Sequence, residues 1–463
     1  MGGWLRALGL SVGLAMAGAS AVQGSDQIAL SPGEMVFAAA QSLQAGMPSQ
    51  ALALANALLA RDPEDMNALM VRARALRDLD QLSEAKDTAQ QIWDLADTDE
   101  DRFAAAMIMA QVLSTNGQKT YAQLWLRRAV HLAPSDRHEK LAIRDFKYVR
   151  AANPWATRLS FAITPDSNIN NGSAYRSSFL NYQLTEVLFG EPVEYQLTGA
   201  SLALSGIEFA LGVDTRYRFW QTANRAQDLF LMIDYRHYEL SEDARNTAPG
   251  VSGSEFDFAS VFLGYGYRGF TFANRGEFAL RADVGQSWYG YNEFAQYLRA
   301  SALHSYTLTR STRLNGRIAG ERQWGIQTAD IDTLKAELWS AHFYPNGQQL
   351  RFIVTGAVAE SPVKSEEYAE LGFGASWAIG EVFEGANLQV GLGFRGRNYD
   401  VSPHAVDGRR DRRWSATATL IFDKVDYYGF NPTMTFYAQD TDSNIALYEN
   451  RRIGINFGIQ SSF

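Results

Sequence analysis

The sequence predicts an α+β multidomain protein: an N-terminal tetratricopeptide-like α-solenoid followed by a transmembrane antiparallel β-barrel of about fourteen strands. Three observations predict it. Hydrophobic periodicity is helical through residue 150 and switches to strand alternation at Asn153-Pro154. The helical part is rich in alanine and leucine, whereas most of the 47 tyrosines and phenylalanines fall after it. The closing stretch, NRRIGINFGIQSSF at 450–463, sets Ile453, Ile455, Phe457 and Ile459 against Gly454, Asn456, Gly458 and Gln460. Ser461 interrupts the apolar set and Phe463 completes it, so Phe457 and Phe463 are candidate residues of a C-terminal aromatic assembly signal.

Composition narrows the classes. A formal charge of −9 excludes the basic balance suited to nucleic acid. With no cysteine there is no disulfide framework, no thiolate metal site and no lipidated cysteine. A mean hydropathy of −0.23 would ordinarily mark a soluble protein. In a barrel only alternate residues face lipid, so that average does not decide.

In chain order, residues 1–21 read as a secretory signal peptide. Arg6 supplies the basic start, Ala7–Ala17 the apolar core, and Ala19-Ser20-Ala21 the small-residue cleavage pattern. That core is too short to span a bilayer, and no later run is long enough either, so a membrane crossing must be made by strands.

Residues 33–150 form the predicted periplasmic helical domain, with helices expected at 34–46, 49–61, 66–78, 82–95, 100–115, 119–132 and 137–149. Ala51 precedes Pro63, Ala85 follows Ala51 by 34 residues, and Ala122, Ala129 and Pro134 mark a third copy offset by 37. Small residues let paired helices cross closely, and proline ends the second helix of each unit. A period near 34 is that of a tetratricopeptide unit. Asp97 stands where proline is expected, and an unspecified helical hairpin array is the alternative.

Residues 155–463 form the predicted outer-membrane barrel. Strands are expected at 157–166, 205–220, 227–240, 254–271, 274–288, 293–309, 312–325, 330–345, 348–361, 367–379, 387–400, 411–425, 431–442 and 450–463. Phe278, Leu280, Ala282 and Val284 oppose Ala279, Arg281, Asp283 and Gly285; Leu388, Val390, Leu392 and Phe394 oppose Gln389, Gly391, Gly393 and Arg395. Lys335 and Glu337 on a polar face suit a wet lumen. A soluble sandwich also alternates but rarely runs to so many strands. An even strand number leaves both barrel ends, and therefore the helical domain, in the periplasm. Residues 179–200 are open between a further strand and a plug-like loop. Aromatics beside turns (Trp288, Tyr289 and Tyr291; Phe343 and Tyr344; Tyr427, Tyr428 and Phe430) are candidate girdle residues.

Catalytic patterns are absent. His131 and His138 flank a helix end, and His237, His304 and His342 fall on lipid-facing registers. No HExxH, P-loop or supported GxSxG occurs, so the chain does not read as an enzyme and implies no cofactor and no metal. One pattern repeats: Pro165-Asp166-Ser167-Asn168-Ile169-Asn170 ends the first barrel strand, and Asp442-Ser443-Asn444-Ile445 follows the penultimate one. Short polar side chains of this kind cap turns. Their placement near the barrel seam makes Pro165, Asp166, Ser167, Asn168, Asn170, Asp442, Ser443 and Asn444 candidates for gating or cargo contact.

From signal peptide to C-terminus, and most specifically at Pro165–Asn170, the chain resembles the surface lipoprotein assembly modifier (Slam) family. The resemblance implies an outer-membrane translocator of a Gram-negative bacterium. Its helical domain would capture a periplasmic client, a surface lipoprotein or a soluble acquisition protein, and deliver it to the cell surface. The implied partners are that client, the barrel-assembly machinery and outer-membrane lipid, with no nucleic acid. A helical region of about three units is short for this plan. The alternatives are a passive porin or selective channel, and a barrel-anchored periplasmic adaptor.

Overall fold

A computed structural model describes residues 30–425 and 427–461. The expected signal peptide at 1–21 and the terminal Phe463 lie outside the described residues.

Among the described residues seven helices come first: α1 (Pro32–Gln44), α2 (Pro48–Arg61), α3 (Met66–Asp78), α4 (Leu82–Leu95), α5 (Asp99–Thr115), α6 (Lys119–His131) and α7 (Asp136–Ala152). Their starts are chemically specified. Ser31 and Glu34 form a capping box around Pro32, and the side chains of Asp65 and Thr98 cap α3 and α5. The chain divides into two compact units at Leu95, inside the helical region. In the first, Ala39, Ala51, Ala55, Val71 and Ala75 form a buried core, with Leu43, Leu52 and Leu54 packed against it. In the second, α5, α6 and α7 share a unit with the barrel. Ala51, Ala85, Ala122 and Ala129 are fully buried, whereas Pro63 and Pro134 are exposed just beyond the ends of α2 and α6.

The barrel consists of β1 (Trp155–Asp166), β4 (Gly206–Gln221), β5 (Arg225–Leu240), β6 (Phe258–Thr271), β7 (Gly276–Tyr289), β8 (Asn292–Thr307), β9 (Thr312–Gly325), β10 (Ile331–Phe343), β11 (Gln349–Glu360), β12 (Tyr368–Phe383), β13 (Ala386–Tyr399), β14 (Arg409–Ile421), β15 (Phe430–Ser443) and β16 (Asn450–Ser461). These fourteen strands close in sequence order, with β16 returning to β1. The fold is an α+β multidomain architecture ending in an antiparallel barrel of the length, alternation and closure needed to cross the outer membrane.

Alternation explains the two surfaces. Leu263, Val284, Ile318, Leu338, Phe352, Leu392 and Ile453 point outward and stay exposed, which in a membrane is burial in lipid. The opposite face is lined by ion pairs, among them Lys335 Nζ to Glu337 Oε1 at 2.6 Å and Arg397 Nη2 to Glu370 Oε2 at 2.6 Å. A soluble sandwich would cover one of these faces with a second sheet; here a single sheet closes on itself.

Residues 167–205 add no strand to the barrel. They contain a small hairpin, β2 (Ser177–Phe179) with β3 (Glu194–Gln196), and α8 (Tyr182–Phe189). The hairpin strands pair with each other because three-residue segments separated by a helix cannot match a membrane-length neighbour. This loop is fastened to the other loops at the same rim: Ser173 Oγ donates to Ala446 O (2.6 Å), Ala174 N to Glu449 O (2.8 Å) and Tyr182 N to Pro403 O (3.1 Å). Gly172 permits the tight path, since a Cβ there would lie 2.1 Å from the Leu202 carbonyl oxygen. Gly172→Ala is therefore expected to free the loop while leaving the barrel folded. Increased protease cleavage within 173–200 on intact cells, with an unchanged folded band on unheated gels, would show it.

The aromatic rims divide by partner. Tyr289, Tyr291, Phe343 and Tyr344 are exposed at turns, as girdle residues should be. The turn before β15 is different: Tyr428 lies 4.7 Å from the His131 ring, and the Arg127 guanidinium sits 4.3 Å over Phe430. These rings pack on α6 because the turn is longer than its neighbours and reaches the helix.

Candidate functional site at the barrel seam

The sheet closes where β1 meets β16, and both strands bring polar residues to that line. β1 turns Asp166 toward the lumen at its end remote from α7. Its carboxylate accepts hydrogen bonds from Tyr437 Oη on β15 and Arg452 Nε on β16, and from Asn168 N at 2.9 Å. The Asp166 side chain is fully buried, and Arg452 also faces Glu208 of β4 at 3.7 Å. Four strands thus converge on one charge cluster, a carboxylate–guanidinium–phenol arrangement that is strong when desolvated.

The rest of the first motif extends this tie. Ser167 N donates to Ile453 O (3.0 Å) and Ser167 Oγ accepts from Ile453 N (2.9 Å). Fully buried Asn168 uses its amide nitrogen on Gly172 O (2.9 Å) and Arg451 O (3.4 Å). Asn170 bonds Ala200 O and Leu202 O through its nitrogen and Leu204 N through its oxygen, stapling the loop's return to β4. Ile169 is buried with Leu204, Tyr238, Leu240 and Ala244 in a small apolar core at this rim. Pro165 is exposed and pairs with Ile207 of β4.

The second copy does a parallel job one strand further in. Ser443 Oγ donates to Asp411 Oδ1 (2.8 Å), while Asn444 accepts from Arg410 N (2.7 Å) and donates to Gly408 O (3.0 Å). Its hydrogen bonds run to β14 and the preceding turn, so the structure brings only the first copy to the seam. Asp442 is exposed, opposite Arg412.

Sequence reasoning did not single out Tyr437, Arg452, Glu208, or the Thr164–Asn456 contact (2.8 Å) that continues the tie. Arg452 on the polar face of the terminal strand was the available signal; its partner, 286 residues away, was not.

Three histidines are held by neighbouring polar groups on or beside the barrel wall. His237 Nδ1 lies 2.9 Å from Asp257, and His304 and His342 bond Thr271 and Thr312 at 3.0 and 2.9 Å. Among the described residues no group of three or more histidines and carboxylates is placed to hold a metal ion. His404, in the loop before β14, accepts a hydrogen bond at Nδ1 from Asn181 N (3.1 Å) at the start of α8. Burial, then the Arg409 charge, hold its pKa below the ordinary histidine value. The released loop therefore takes up a proton more readily than the fastened one, and the tie weakens as pH falls through about 6.5. Acidification to about pH 5 is expected to raise protease access to 181–190, and His404→Gln to flatten that response. An unchanged profile would remove His404 from the loop's control.

The profile of the surface lipoprotein assembly modifier family matches residues 155–463, every strand of the barrel and its seam. The chain belongs to this family. Surface lipoprotein assembly modifier 2 of Neisseria meningitidis serogroup B (strain ATCC BAA-335 / MC58) is 28% identical over 115 residues, 24% of this chain and 23% of that protein. The chain thus matches less than a quarter of that relative's length. Among solved structures, the loop L8 deletion mutant of OmpT from Vibrio cholerae is similar at 9% identity and a TM-score of 0.32, over 66% of this chain and 99% of that one. OccK7 (OpdD) of Pseudomonas aeruginosa gives 8% and 0.31, over 66% and 98%. Likenesses this distant say nothing of function. Family membership and the closed barrel make this an outer-membrane protein whose preceding helices lie in the periplasm.

Proposed function

We propose that this protein is a translocator that binds a periplasmic client through its helical domain, residues 33–150, and delivers it to the cell surface. The client would be a surface lipoprotein or a secreted acquisition protein, and the barrel-assembly machinery a further partner. The observation that carries this reading is the family match across the entire barrel, on a chain whose described residues place seven helices before it. A porin would leave those helices without a task, whereas helical hairpin arrays commonly bind peptides or proteins on a concave face. The first motif and its neighbours would keep the seam tied at the outer rim while a client is handled from the periplasm.

The test compares surface and secreted proteins in strains with the chain, without it, and with residues 33–150 removed from a barrel that still assembles. Loss of one or a few particular proteins in both mutants is expected. An unchanged surface together with altered ion conductance would favour the channel, and normal export with a misplaced envelope complex would favour the adaptor.

A further inference from the structure

On the lumen wall two arginines stand directly opposite one another. Arg395 of β13 registers with Arg413 of β14, and both face inward because Leu392 and Trp414, at the alternate positions of these strands, face lipid. Like charges directly opposed across an antiparallel pair are destabilising. The neighbouring carboxylates are already engaged. Glu370 is held at 2.6 Å by Arg397, with Arg395 further off at 3.4 Å. Glu337 is held at 2.6 Å by Lys335, and Asp411 at 2.6 Å by Arg409. Among the described residues Arg413 has no carboxylate in ion-pair contact, and its Nε donates to Thr441 Oγ1 at 3.2 Å. Arg351 of β11 likewise has none among the described residues and lies over the Trp339 ring.

Beside this pair the wall is hollow. Gly374 of β12 and Gly393 of β13 register with each other at its centre, and Ser415 of β14 stands opposite Gly393. A Cβ at Gly393 would lie 2.7 Å from Ser415 Oγ, so the glycine lets that hydroxyl lean over the sheet. The hollow measures about 340 Å³ and is edged by Lys335, Thr355, Arg395, Arg413 and Ser415. An adjoining one of about 330 Å³ continues it to Arg351 and Thr417.

We propose that this hollow is an oxyanion-binding site, in which a carboxylate or phosphate group bridges Arg395 and Arg413 and accepts a further hydrogen bond from Ser415 Oγ. Guanidinium forks match the oxygens of either group. An anion seated between the two arginines turns their mutual repulsion into two attractions. The glycine floor carries no side chain, so the anion reaches the forks unobstructed. Arg351, at the far end of the hollow, offers a second cation to an extended ligand. Other lumen cations differ in having a carboxylate of their own, as Arg299 has Glu321 and Arg452 has Asp166. The site goes beyond the translocator reading and stands without it. Its oxyanion comes either from acidic side chains of a polypeptide in the lumen or from a small free anion, and the chemistry of recognition is shared.

The test is calorimetric titration of the purified full chain in detergent micelles with a hexaglutamate peptide and with sodium tripolyphosphate, hexalysine serving as control. Binding of an acidic probe at a single site, and none of hexalysine, is expected. Hexaglutamate binding alone assigns the oxyanion to a polypeptide, tripolyphosphate binding alone to a free anion, and displacement of one by the other to the shared group. Arg413→Gln is expected to weaken binding about tenfold. Arg299→Gln makes the same change of charge at a lumen cation that Glu321 already holds, and should bind as the parent does. Ser415→Asp places a carboxylate beside the opposed arginines. It should abolish binding while raising the temperature at which the folded band unfolds on denaturing gels, which separates loss of the site from loss of the fold. Failure of both acidic probes to bind would overturn the proposal. So would equal weakening by Arg299→Gln and Arg413→Gln, or a Ser415→Asp variant that binds like the parent.

Discussion

Asp166→Ala is expected to destabilise the closed barrel by about 3–5 kcal/mol, toward the lower end because lumen water reaches part of the cluster. The side chain is fully buried and receives Tyr437, Arg452 and the Asn168 amide. Its removal leaves a guanidinium and a phenol facing a hydrophobic methyl, with Glu208 at 3.7 Å left to answer the charge. The measurement is the temperature at which the compact folded band converts to the unfolded one on denaturing gels. A fall of several degrees is expected, and thiols placed at Ala162 and Gly458 should then crosslink less completely. Asp166→Ala combined with Arg452→Met should recover most of the loss, since it is the unpaired buried charge that costs, not the missing pair. A single variant as heat-resistant as the parent would show that backbone pairing alone holds the seam.

Asp228→Ala should have an effect of similar size at the opposite end of the lumen. Arg218 grips this buried carboxylate with a two-pronged contact at 2.8 and 3.2 Å, and Arg268 and Arg216 stand 3.6 and 3.9 Å away. Three guanidiniums share one acid, with Glu277 near Arg268 at 3.8 Å as secondary relief. Without Asp228 they repel one another inside the wall, at a cost of about 3–5 kcal/mol. Part of this should be screened by raising salt, because the lumen is wet. Heat-modifiability at low and high ionic strength checks both statements: a large deficit at low salt that narrows at high salt is expected. A deficit independent of salt would point to packing instead. Exposed pairs such as Lys424–Glu384 should give no measurable change when broken.

Much of this was legible in one dimension because it depends on spacing. Alternation such as Leu388, Val390, Leu392 and Phe394 against Gln389, Gly391 and Gly393 fixes both a strand and which face meets lipid. The alanines Ala51, Ala85, Ala122 and Ala129, expected at packing positions, are fully buried. The Asp-Ser-Asn-Ile repeat marked two turns, each of which buries its isoleucine, Ile169 and Ile445. Period and turn chemistry are local, set by residues within a few positions of one another.

What the sequence by itself determined is therefore a helical array, an even number of membrane-length strands, and a polar signature at the first strand's outer end. The tertiary structure alone decided which groups meet there: that Asp166 faces Arg452 and Tyr437, that the second copy of the motif ties β14 instead, and that Tyr428 and Phe430 lean on α6. It also decided that the closing pair of strands meets with Ala162 opposite Gly458, Ile163 opposite Phe457 and Asp166 opposite Gly454. The physical reason is closure. Hairpin neighbours are brought into register by the turn between them, whereas β1 and β16 are joined by no turn. Their register is set by the accumulated stagger of the whole sheet and by the side chains that happen to meet across it.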